Sequence, residues 1–527
     1  MQLLALKYLE NIGSSQKEAT TGTKREPRRL ARVPWPLLGV LVVQAALSYR
    51  MLWSRTAFGD EALYLWTGHL EWSHWLHGTP IPAFQTWFSG APVIYPPIGA
   101  LADSIGGLAA ARMLSLVFML GVTAFVWATA VRLFEDKRAG FFAAALFAVL
   151  GPTLHLGAFA TYDALALLFL SAAAWCATGA RGRQDSTGWI IAAGTLLVLS
   201  NATKYATTLF DPSVVCLATL CSWTTVSKQA ALRRGALLTG LVAALIAALL
   251  KIGGSWYVDG VTQTTTARSY GSDAPSLVIS DAWSWIAVAV IPAFIAVLAC
   301  LLVRRWRHQF VLVTVLAGTA LLAPANQARI RTTTSLNKHV DFGVWFAVLA
   351  AGCLLALLVG SLRQRWARVL LTVALSAALV PLTANGMAKA EGMVNWPDTT
   401  GLVKAVRPLT AHGGHFLAET NDVLEYYLPD TTWRQWSNTY SITEANGTVQ
   451  DVNGNPEYYQ EAIAHHYFSL VVLSFDQTYS MDVDITRYLG STSGYRLIEK
   501  VRSDNAQPTV FDIWEYLPVK KKSGSVK

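Results

Sequence analysis

The sequence predicts a mostly α-helical polytopic membrane protein with about eleven transmembrane helices, external interfacial helices and a small C-terminal α/β domain. Hydrophobic residues make up 53% of the 527 residues and charged residues only 14%, whereas soluble domains carry roughly 25% charged residues. Apolar runs of about 17 to 25 residues, each long enough to cross about 30 Å of hydrocarbon, recur along most of the chain. They stop near position 386, and the remainder is expected to fold as a domain outside the bilayer.

The first predicted span covers residues 34–53 and follows a basic tail, residues 1–33. Because basic residues stay on the cytoplasmic side, the tail is expected inside, without a cleaved signal peptide, and the next connection outside. Ten further spans are predicted at 108–134, 139–158, 160–178, 188–203, 206–224, 235–253, 283–303, 310–324, 343–361 and 369–386. This odd number of spans places the C-terminus on the outer side. The runs within 188–224 are interrupted by polar residues and by Pro212, so they are also compatible with tilted or broken helices.

The distribution of charge supports this threading. Basic residues cluster in alternate short loops, which the positive-inside rule assigns to the cytoplasm: 135–138, 181–183, 228–234, 304–307 and 363–368. The region from Met387 onward is acidic, with 17 acidic and 12 basic residues. The pI of about 9.2 therefore reflects membrane topology and not nucleic-acid binding. All five cysteines lie in apolar segments, so neither a disulfide framework nor a zinc site is indicated.

Two external connections are long, residues 54–107 and 256–282. The first contains WTGHLEWSHWLHG, in which tryptophans alternate with polar residues as in helices that lie in the membrane interface. After the last span, residues 387–517 predict the α/β domain, because strand-like and helix-like stretches alternate there. They are strand-like HFLAE, helix-like DVLEYYL and PEYYQEAIAHH, the β-rich run YFSLVVLSF and a late pair, YRLIEKV and TVFDIWEYL. Residues 518–527 are expected to form a disordered tail.

Four polar features, far apart in sequence, are brought near the outer membrane surface by this threading. They are Asp60-Glu61, Tyr162-Asp163, Lys204-Tyr205 and Asn337-Lys338-His339. Ionisable residues near membrane depth are costly, so their convergence predicts a functional site.

The carboxylates have both functional and structural interpretations. Asp60 is a candidate general base and Glu61 its catalytic partner, but Asp60 could also cap a helix that begins at Glu61. Asp163 begins an apolar helix, where a carboxylate complements the helix dipole. Its alternative role is a second carboxylate for acceptor orientation or metal binding.

The cations are candidates for binding a lipid phosphate. Lys204, supported by Tyr205, would pair with such a group, although a lysine snorkelling to the interface is the simpler interpretation. Arg329, Arg331, Lys338 and His339 lie before a span on the outer side, against the general charge trend. Phosphate binding would explain them, and contact with anionic headgroups is the alternative.

Motifs of common hydrolases, metalloproteases and nucleotide-binding sites are missing from the sequence, including HExxH, GxSxG and the P-loop. Taken together, FGDEALYLWTGH, YPPIGALADSIGGLAAARMLS, ATYDALALLF and NATKYATTLF resemble the membrane-embedded glycosyltransferases of superfamily C. The similarity is greatest to bacterial relatives of protein O-mannosyltransferases and aminoarabinose transferases. Asp60-Glu61 is the firmest match, and the C-terminal domain is the loosest.

The resemblance implies a hexosyl- or pentosyltransferase in the cytoplasmic membrane, acting on the cell envelope. It implies a polyprenyl-phosphate sugar as donor, an extracytoplasmic glycan, lipid or protein as acceptor, and inversion without a covalent intermediate. Asp60 would activate the acceptor hydroxyl, Glu61 and Asp163 would organise the acceptor or a divalent cation, and Lys204 would stabilise the leaving phosphate. The resemblance does not by itself require a cofactor, and a divalent cation is the one candidate. The residues that would bind such a metal are unknown.

One position departs from the family pattern. Several relatives carry a lysine immediately before the Pro-Pro of the first external loop, where this chain has Tyr95. A tyrosine cannot supply the positive charge. The phosphate contact is therefore expected from Lys204, Arg329, Arg331 or Lys338, unless the donor is held in a different way. The main alternative function is a transporter or flippase of lipid-linked glycans, because intramembrane charges also mark transport pathways.

Overall fold

The computed structural model describes residues 34–182, 186–223, 225–504 and 508–518. The predicted basic tail and the last nine residues of the predicted disordered tail lie outside the described residues. Within the described parts, the chain forms a helical membrane portion followed by a small domain with a central sheet.

Among the described residues, the membrane portion contains fourteen α-helices. They are α1 (Trp35–Tyr49), α2 (Gly59–His77), α3 (Tyr95–Phe134), α4 (Lys137–Ala148), α5 (Gly151–Leu156), α6 (Tyr162–Gly179), α7 (Thr187–Thr203), α8 (Asp211–Trp223), α9 (Lys228–Val261), α10 (Pro275–Leu302), α11 (Phe310–Thr319), α12 (Leu322–Arg329), α13 (Leu336–Ser361) and α14 (Arg365–Met393). Helix α13 is buried almost throughout and packs against α10 and α4.

Seven helical segments among the described residues are long and apolar enough to cross a membrane, and α1 and α7 are shorter apolar helices. The predicted fold class is confirmed: the chain is a multi-pass membrane protein with a small C-terminal sheet domain. Each of the eleven predicted spans corresponds to a helix or to a pair of shorter helices in the structure.

The differences from the predicted spans occur at helix-breaking residues. Helix α3 begins at Tyr95, well before the predicted start, and Gly106 and Gly107 interrupt its helical dihedrals, with φ of +65° at Gly107. The predicted span 139–158 is divided into two helices, α4 and α5. Pro152 lies in the first turn of α5, a position where helices tolerate proline. The predicted span 206–224 is a broken helix: a 3₁₀ turn, Tyr205–Phe210, is followed by α8.

The C-terminal domain contains α15 (Thr400–Thr410), β1 (His415–Ala418), α16 (Asn421–Tyr427), β2 (Trp436–Ser437), β3 (Ser441–Thr443), β4 (Val449–Asp451), α17 (Glu457–Ala464), β5 (Phe468–Leu473), α18 (Tyr479–Ser491), β6 (Tyr495–Arg502) and β7 (Val510–Tyr516). The main sheet has the order β2-β1-β5-β7-β6, and β3 and β4 form a separate hairpin. Strands β2, β1 and β5 are parallel, and β7 is antiparallel to both β5 and β6. Apolar clusters cover both faces of this sheet.

The sheet reverses its winding between β1 and β5. The chain leaves β1 through α16 toward β2 on one side, and it leaves β5 through α18 toward β6 on the other. In open α/β sheets, the crevice beyond the carboxyl ends of two such strands is the usual ligand site.

Hydrogen bonds attach the C-terminal domain to the membrane portion. The Tyr426 hydroxyl donates to Asp103 at 2.6 Å, and the Tyr427 hydroxyl accepts from the Ala57 backbone N–H at 2.8 Å. The Trp433 indole donates to the Pro80 carbonyl at 3.2 Å. Helix α16 thereby lies against α2, which carries the predicted catalytic residues.

Two buried carboxyl groups hold the loop that follows β5. Glu419, directly after β1, accepts backbone hydrogen bonds from Ser474 at 3.2 Å, Asp476 at 3.3 Å and Thr478 at 2.7 Å. Asp482 on α18 accepts from the Phe475 backbone N–H at 2.9 Å. Burial, followed by the hydrogen bond to Glu419, raises the pKa of Asp482 to about 8.

We expect Asp482→Asn to remove a pH dependence of stability. The native state keeps the Asp482 proton in a range where the unfolded state has released it, so stability falls as pH rises toward 8 and levels off above it. The slope from one such group reaches at most about 1.4 kcal/mol per pH unit. Asn resembles the protonated acid, so melting temperatures measured from pH 6 to 9 should decline less in the variant. Parallel profiles for the two proteins would contradict the retention of a proton by native Asp482.

Candidate active site

Glu61, in the first turn of α2, is fully buried and occupied by four hydrogen bonds. The Arg112 guanidinium of α3 donates to it at 2.8 and 2.7 Å, and the backbone N–H groups of Ala160 and Phe58 donate at 2.8 and 3.1 Å. Arg112 also donates to three carbonyls of the segment between α1 and α2. The bidentate pair therefore fixes the start of α2 against α3.

Asp60, the neighbouring residue, points in a different direction and pairs with Lys338 of α13. The Lys338 ammonium lies 2.5 Å from Oδ2 of Asp60. The lysine side chain is 6% exposed, whereas the Asp60 side chain is 34% exposed. The Asp60 carboxylate thus forms an ion pair with a buried cation, and the rest of its side chain is partly exposed.

A second ion pair lies beside the first. The Lys204 ammonium lies 2.5 Å from Oδ1 of Asp163 and 4.8 Å from the centre of the Tyr162 ring. The Thr161 hydroxyl donates to the other Asp163 oxygen at 2.9 Å. Lys204 reaches this position because α7 ends there, with Lys204 in an extended conformation before the 3₁₀ turn.

A cavity of about 620 Å³ opens next to these pairs. We call it the cationic cavity, because Lys204, Arg268 and Arg329 all line it, together with Asp60 and His339. Its other walls include Tyr64, Trp87, Ser89, Tyr162 and Tyr205. The structure thus brings the four predicted features together in space.

Six of the ten predicted site residues line the cationic cavity or lie directly behind its lining. Asp60, Lys204, Tyr205, Arg329 and His339 line the cationic cavity. Asp163 lies directly behind the lining, bound to Lys204.

The other four predicted residues lie outside the lining of the cationic cavity. Glu61 is buried and paired with Arg112. Lys338 is paired with Asp60. Arg331 and Tyr95 are also outside the lining: Arg331 is an exposed loop residue, and Tyr95 is fully buried with its ring 6.4 Å from that of Tyr64.

Among the residues of the site that were not predicted from the sequence, three are notable for their contacts or charge. Arg268 is the one arginine of the second long connection, residues 256–282, and it belongs to no recognisable sequence motif. Arg112 lies inside a predicted span, where an arginine without a snorkelling route signals a buried partner. Tyr64 stacks on Tyr162 with ring centres 4.6 Å apart, and its position one turn after Asp60 is the only sequence signal for it.

A second cavity, of about 740 Å³, lies between the membrane portion and the C-terminal domain. We call it the interdomain cavity. Phe58 and Gly59, immediately before Asp60, form part of its wall, and Thr420 and Ser474 of the C-terminal domain lie on its other side. Asp60 itself lines the cationic cavity, and the two residues before it line the interdomain cavity.

Among the described residues, no group of three or more His, Cys, Asp or Glu side chains is arranged to hold a metal ion. Asp60 and Asp163 are each paired with a lysine.

Comparison with known proteins relates this geometry to a family. Residues 98–253 match the model of the family described as dolichyl-phosphate-mannose-protein mannosyltransferase. The crystal structure of ArnT from Cupriavidus metallidurans in the apo state matches with a TM-score of 0.58 at 15% identity, covering 90% of this chain and 97% of that one. The chain therefore shares its fold with ArnT over most of its length. Both matches agree with the family resemblance seen in the sequence.

Other structures with the superfamily C fold also match. ArnT of Cupriavidus metallidurans bound to undecaprenyl phosphate has a TM-score of 0.56 at 14% identity, covering 90% of this chain and 97% of that one. The archaeal oligosaccharyltransferase AglB from Archaeoglobus fulgidus, in complex with an inhibitory peptide and a dolichol-phosphate, has a TM-score of 0.55 at 12% identity, covering 88% and 73% of the respective chains. No curated protein sequence matches the chain.

Proposed function

We propose that this chain is an integral-membrane glycosyltransferase that moves a sugar from a polyprenyl-phosphate donor to an acceptor at the outer face of the cytoplasmic membrane. The observation that carries the proposal is the position of Asp60, a partly exposed carboxylate that lines the cationic cavity and directly follows two residues of the interdomain cavity. The family match and the bound lipid phosphates of ArnT and AglB support the donor class.

In the proposed reaction, the donor phosphate lies in the cationic cavity and the acceptor hydroxyl reaches Asp60. The acceptor oxygen forms a bond to the anomeric carbon while the bond from that carbon to the phosphate oxygen breaks. Asp60 takes the hydroxyl proton, the sugar inverts its configuration, and polyprenyl phosphate leaves. A single displacement needs no covalent sugar-enzyme intermediate.

The cations of the lining would stabilise the leaving phosphate. Lys204 is already balanced by Asp163, whereas Arg268 and Arg329 add two positive charges to the same wall. Preorganised cations favour the charge that develops on the phosphate as the bond breaks. The proposal assigns this role to side chains, and no step passes through a divalent cation.

The decisive experiment uses purified protein in liposomes and a panel of polyprenyl-phosphate hexoses and pentoses with an envelope extract as acceptor source. We expect release of free polyprenyl phosphate from at least one donor, coupled to sugar incorporation into an acceptor. Movement of the intact donor across the bilayer without release would instead indicate a carrier.

Arg268→Gln tests the donor site with little risk to the fold, because Arg268 is exposed. A hydrogen bond to a charged group contributes about 1.5 to 3 kcal/mol, so we expect at least a tenfold weaker binding of undecaprenyl phosphate. The matched control is Arg331→Gln, an exposed arginine outside the cavity lining. Equal losses in both variants would argue against a specific phosphate site.

Lys338→Met tests whether this lysine positions Asp60. Without the ammonium the carboxylate can rotate away from the acceptor hydroxyl, and a misplacement of about 1 Å can lower turnover on the order of 10²-fold. We expect kcat to fall while the donor KM changes little, and Lys338→Arg to restore part of the activity. A selective rise of the donor KM would instead indicate that Lys338 contacts the phosphate directly.

A further inference from the structure

The interdomain cavity meets the C-terminal sheet at the point where its winding reverses. Thr420 follows β1, and Ser474 and Gln477 follow β5; all three line the cavity. Thr509, at the start of β7, lines it from the same sheet edge. The cavity therefore occupies the crevice in which open α/β sheets bind their ligands, and its opposite wall carries Phe58 and Gly59 beside Asp60.

The backbone donors of this crevice are already used by the protein. In many α/β domains, free N–H groups beyond a parallel strand hold a phosphate or carboxylate. Here the N–H groups of Ser474, Asp476 and Thr478 all donate to Glu419. The hydroxyls of Ser474 and Thr478 donate to the same carboxylate. An internal anion thus fills the place that an anionic ligand would take.

The charged side chains of the wall also disfavour an anion. Asp476 and Glu391 contribute two negative charges, and Arg55 contributes one positive charge. The Arg55 guanidinium is engaged by the Trp396 carbonyl at 3.1 Å. The lining residues alone thus carry a net charge of −1, and Glu391 is offset by Arg50, which lies 4.0 Å away outside the lining. A phosphorylated ligand would meet no free positive charge in excess of these carboxylates.

What remains available is hydrogen bonding by neutral groups next to aromatic surface. Asn395 and Gln477 are exposed amides, Thr420 and Thr509 add hydroxyls, and Phe58 supplies a partly exposed ring. Amides and hydroxyls that both donate and accept, together with an aromatic face, match the alternating hydroxyls and C–H faces of a sugar.

We propose that the interdomain cavity binds a neutral saccharide chain and presents one of its hydroxyls to Asp60. This inference rests on the proposed glycosyl transfer for the role of the saccharide as acceptor, but the binding itself requires no donor. The C-terminal domain then selects the acceptor, and the enzyme extends or branches an uncharged glycan.

The test measures binding by the full-length protein in nanodiscs, without donor. The probes are neutral tri- and tetrasaccharides of glucose, mannose, galactose and arabinose, the same compounds with a terminal phosphate, and a neutral Ser/Thr-rich peptide. We expect at least one neutral oligosaccharide to bind, and its phosphorylated form to bind at least tenfold more weakly. Asn395→Ala and Gln477→Ala should each weaken binding about three- to tenfold, since each removes hydrogen bonds of neutral groups.

The matched control is Gln460→Ala, which removes an exposed amide on α17 outside the cavity lining and should leave the affinity unchanged. The inference is overturned if no neutral oligosaccharide binds, if binding ignores the Asn395 and Gln477 variants, or if the phosphorylated compounds or the peptide bind more tightly. Saccharide binding without any sugar transfer would refute the proposed function and leave the site intact. Sugar transfer to a peptide or a lipid would support the proposed function and refute the saccharide site.

Discussion

Asp60→Asn is expected to lower sugar transfer by a factor of about 10² to 10⁴, the range that a positioned general base contributes. The amide oxygen can still accept a hydrogen bond from Lys338, so the packing of α13 against the start of α2 is retained. An amide cannot take the proton of the acceptor hydroxyl. The measurement is release of polyprenyl phosphate at saturating donor, alongside donor binding, which should change little.

The control for this variant is Asp430→Asn, which makes the same chemical change at an exposed residue of the C-terminal domain. It should retain activity and expression. Full activity in Asp60→Asn would show that Asp60 is not the base. It would also contradict the expectation that the acceptor hydroxyl approaches Asp60.

Glu61→Ala is expected to destabilise the protein by about 3 to 5 kcal/mol, because it leaves the Arg112 guanidinium buried without its counter-charge. Arg112 is 1% exposed and cannot reach water to compensate. Loss of the pair also frees the backbone N–H groups of Ala160 and Phe58 from their acceptor. The measurement is the thermal unfolding of the purified protein, with a large fall in Tm as the expected result.

Glu135→Ala is a matched control, since it breaks another Glu–Arg pair, with Arg181 at 3.0 Å, in which the Glu side chain is 77% exposed. Exposed pairs contribute about 0 to 1 kcal/mol, so its Tm should remain close to that of the unchanged protein. If Glu61→Ala melted normally but lost activity, Glu61 would have a catalytic role and the structural assignment would be wrong.

The contrast between Asp60 and Glu61 illustrates what sequence patterns can predict. Both are acidic residues at one helix start, and hydropathy with loop charge located them correctly near the other polar features. The sequence contained no signal that the first faces a cavity and the second faces Arg112. That division depends on the rotation of α2 against α3, which is set by packing between residues about fifty positions apart.

The C-terminal domain shows the same division. The strands β1, β5, β6 and β7 and the helices α16 and α17 were predicted from local periodicity. The two-residue strand β2, the three-residue strands β3 and β4, and the helices α15 and α18 were not predicted. The strand order, and hence the crevice beside the interdomain cavity, arises from long-range pairing that no local pattern encodes.

The sequence by itself determined the membrane-spanning character, the succession of helices and the set of polar residues, because hydropathy and helical periodicity are local properties of the chain. Only the tertiary structure decided the partners. It joined Lys338 to Asp60 across 278 positions and Lys204 to Asp163 across 41, and it added Arg268 to the same cavity. The physical reason is that a buried charge must find a counter-charge, and which one it finds is decided by how the helices pack.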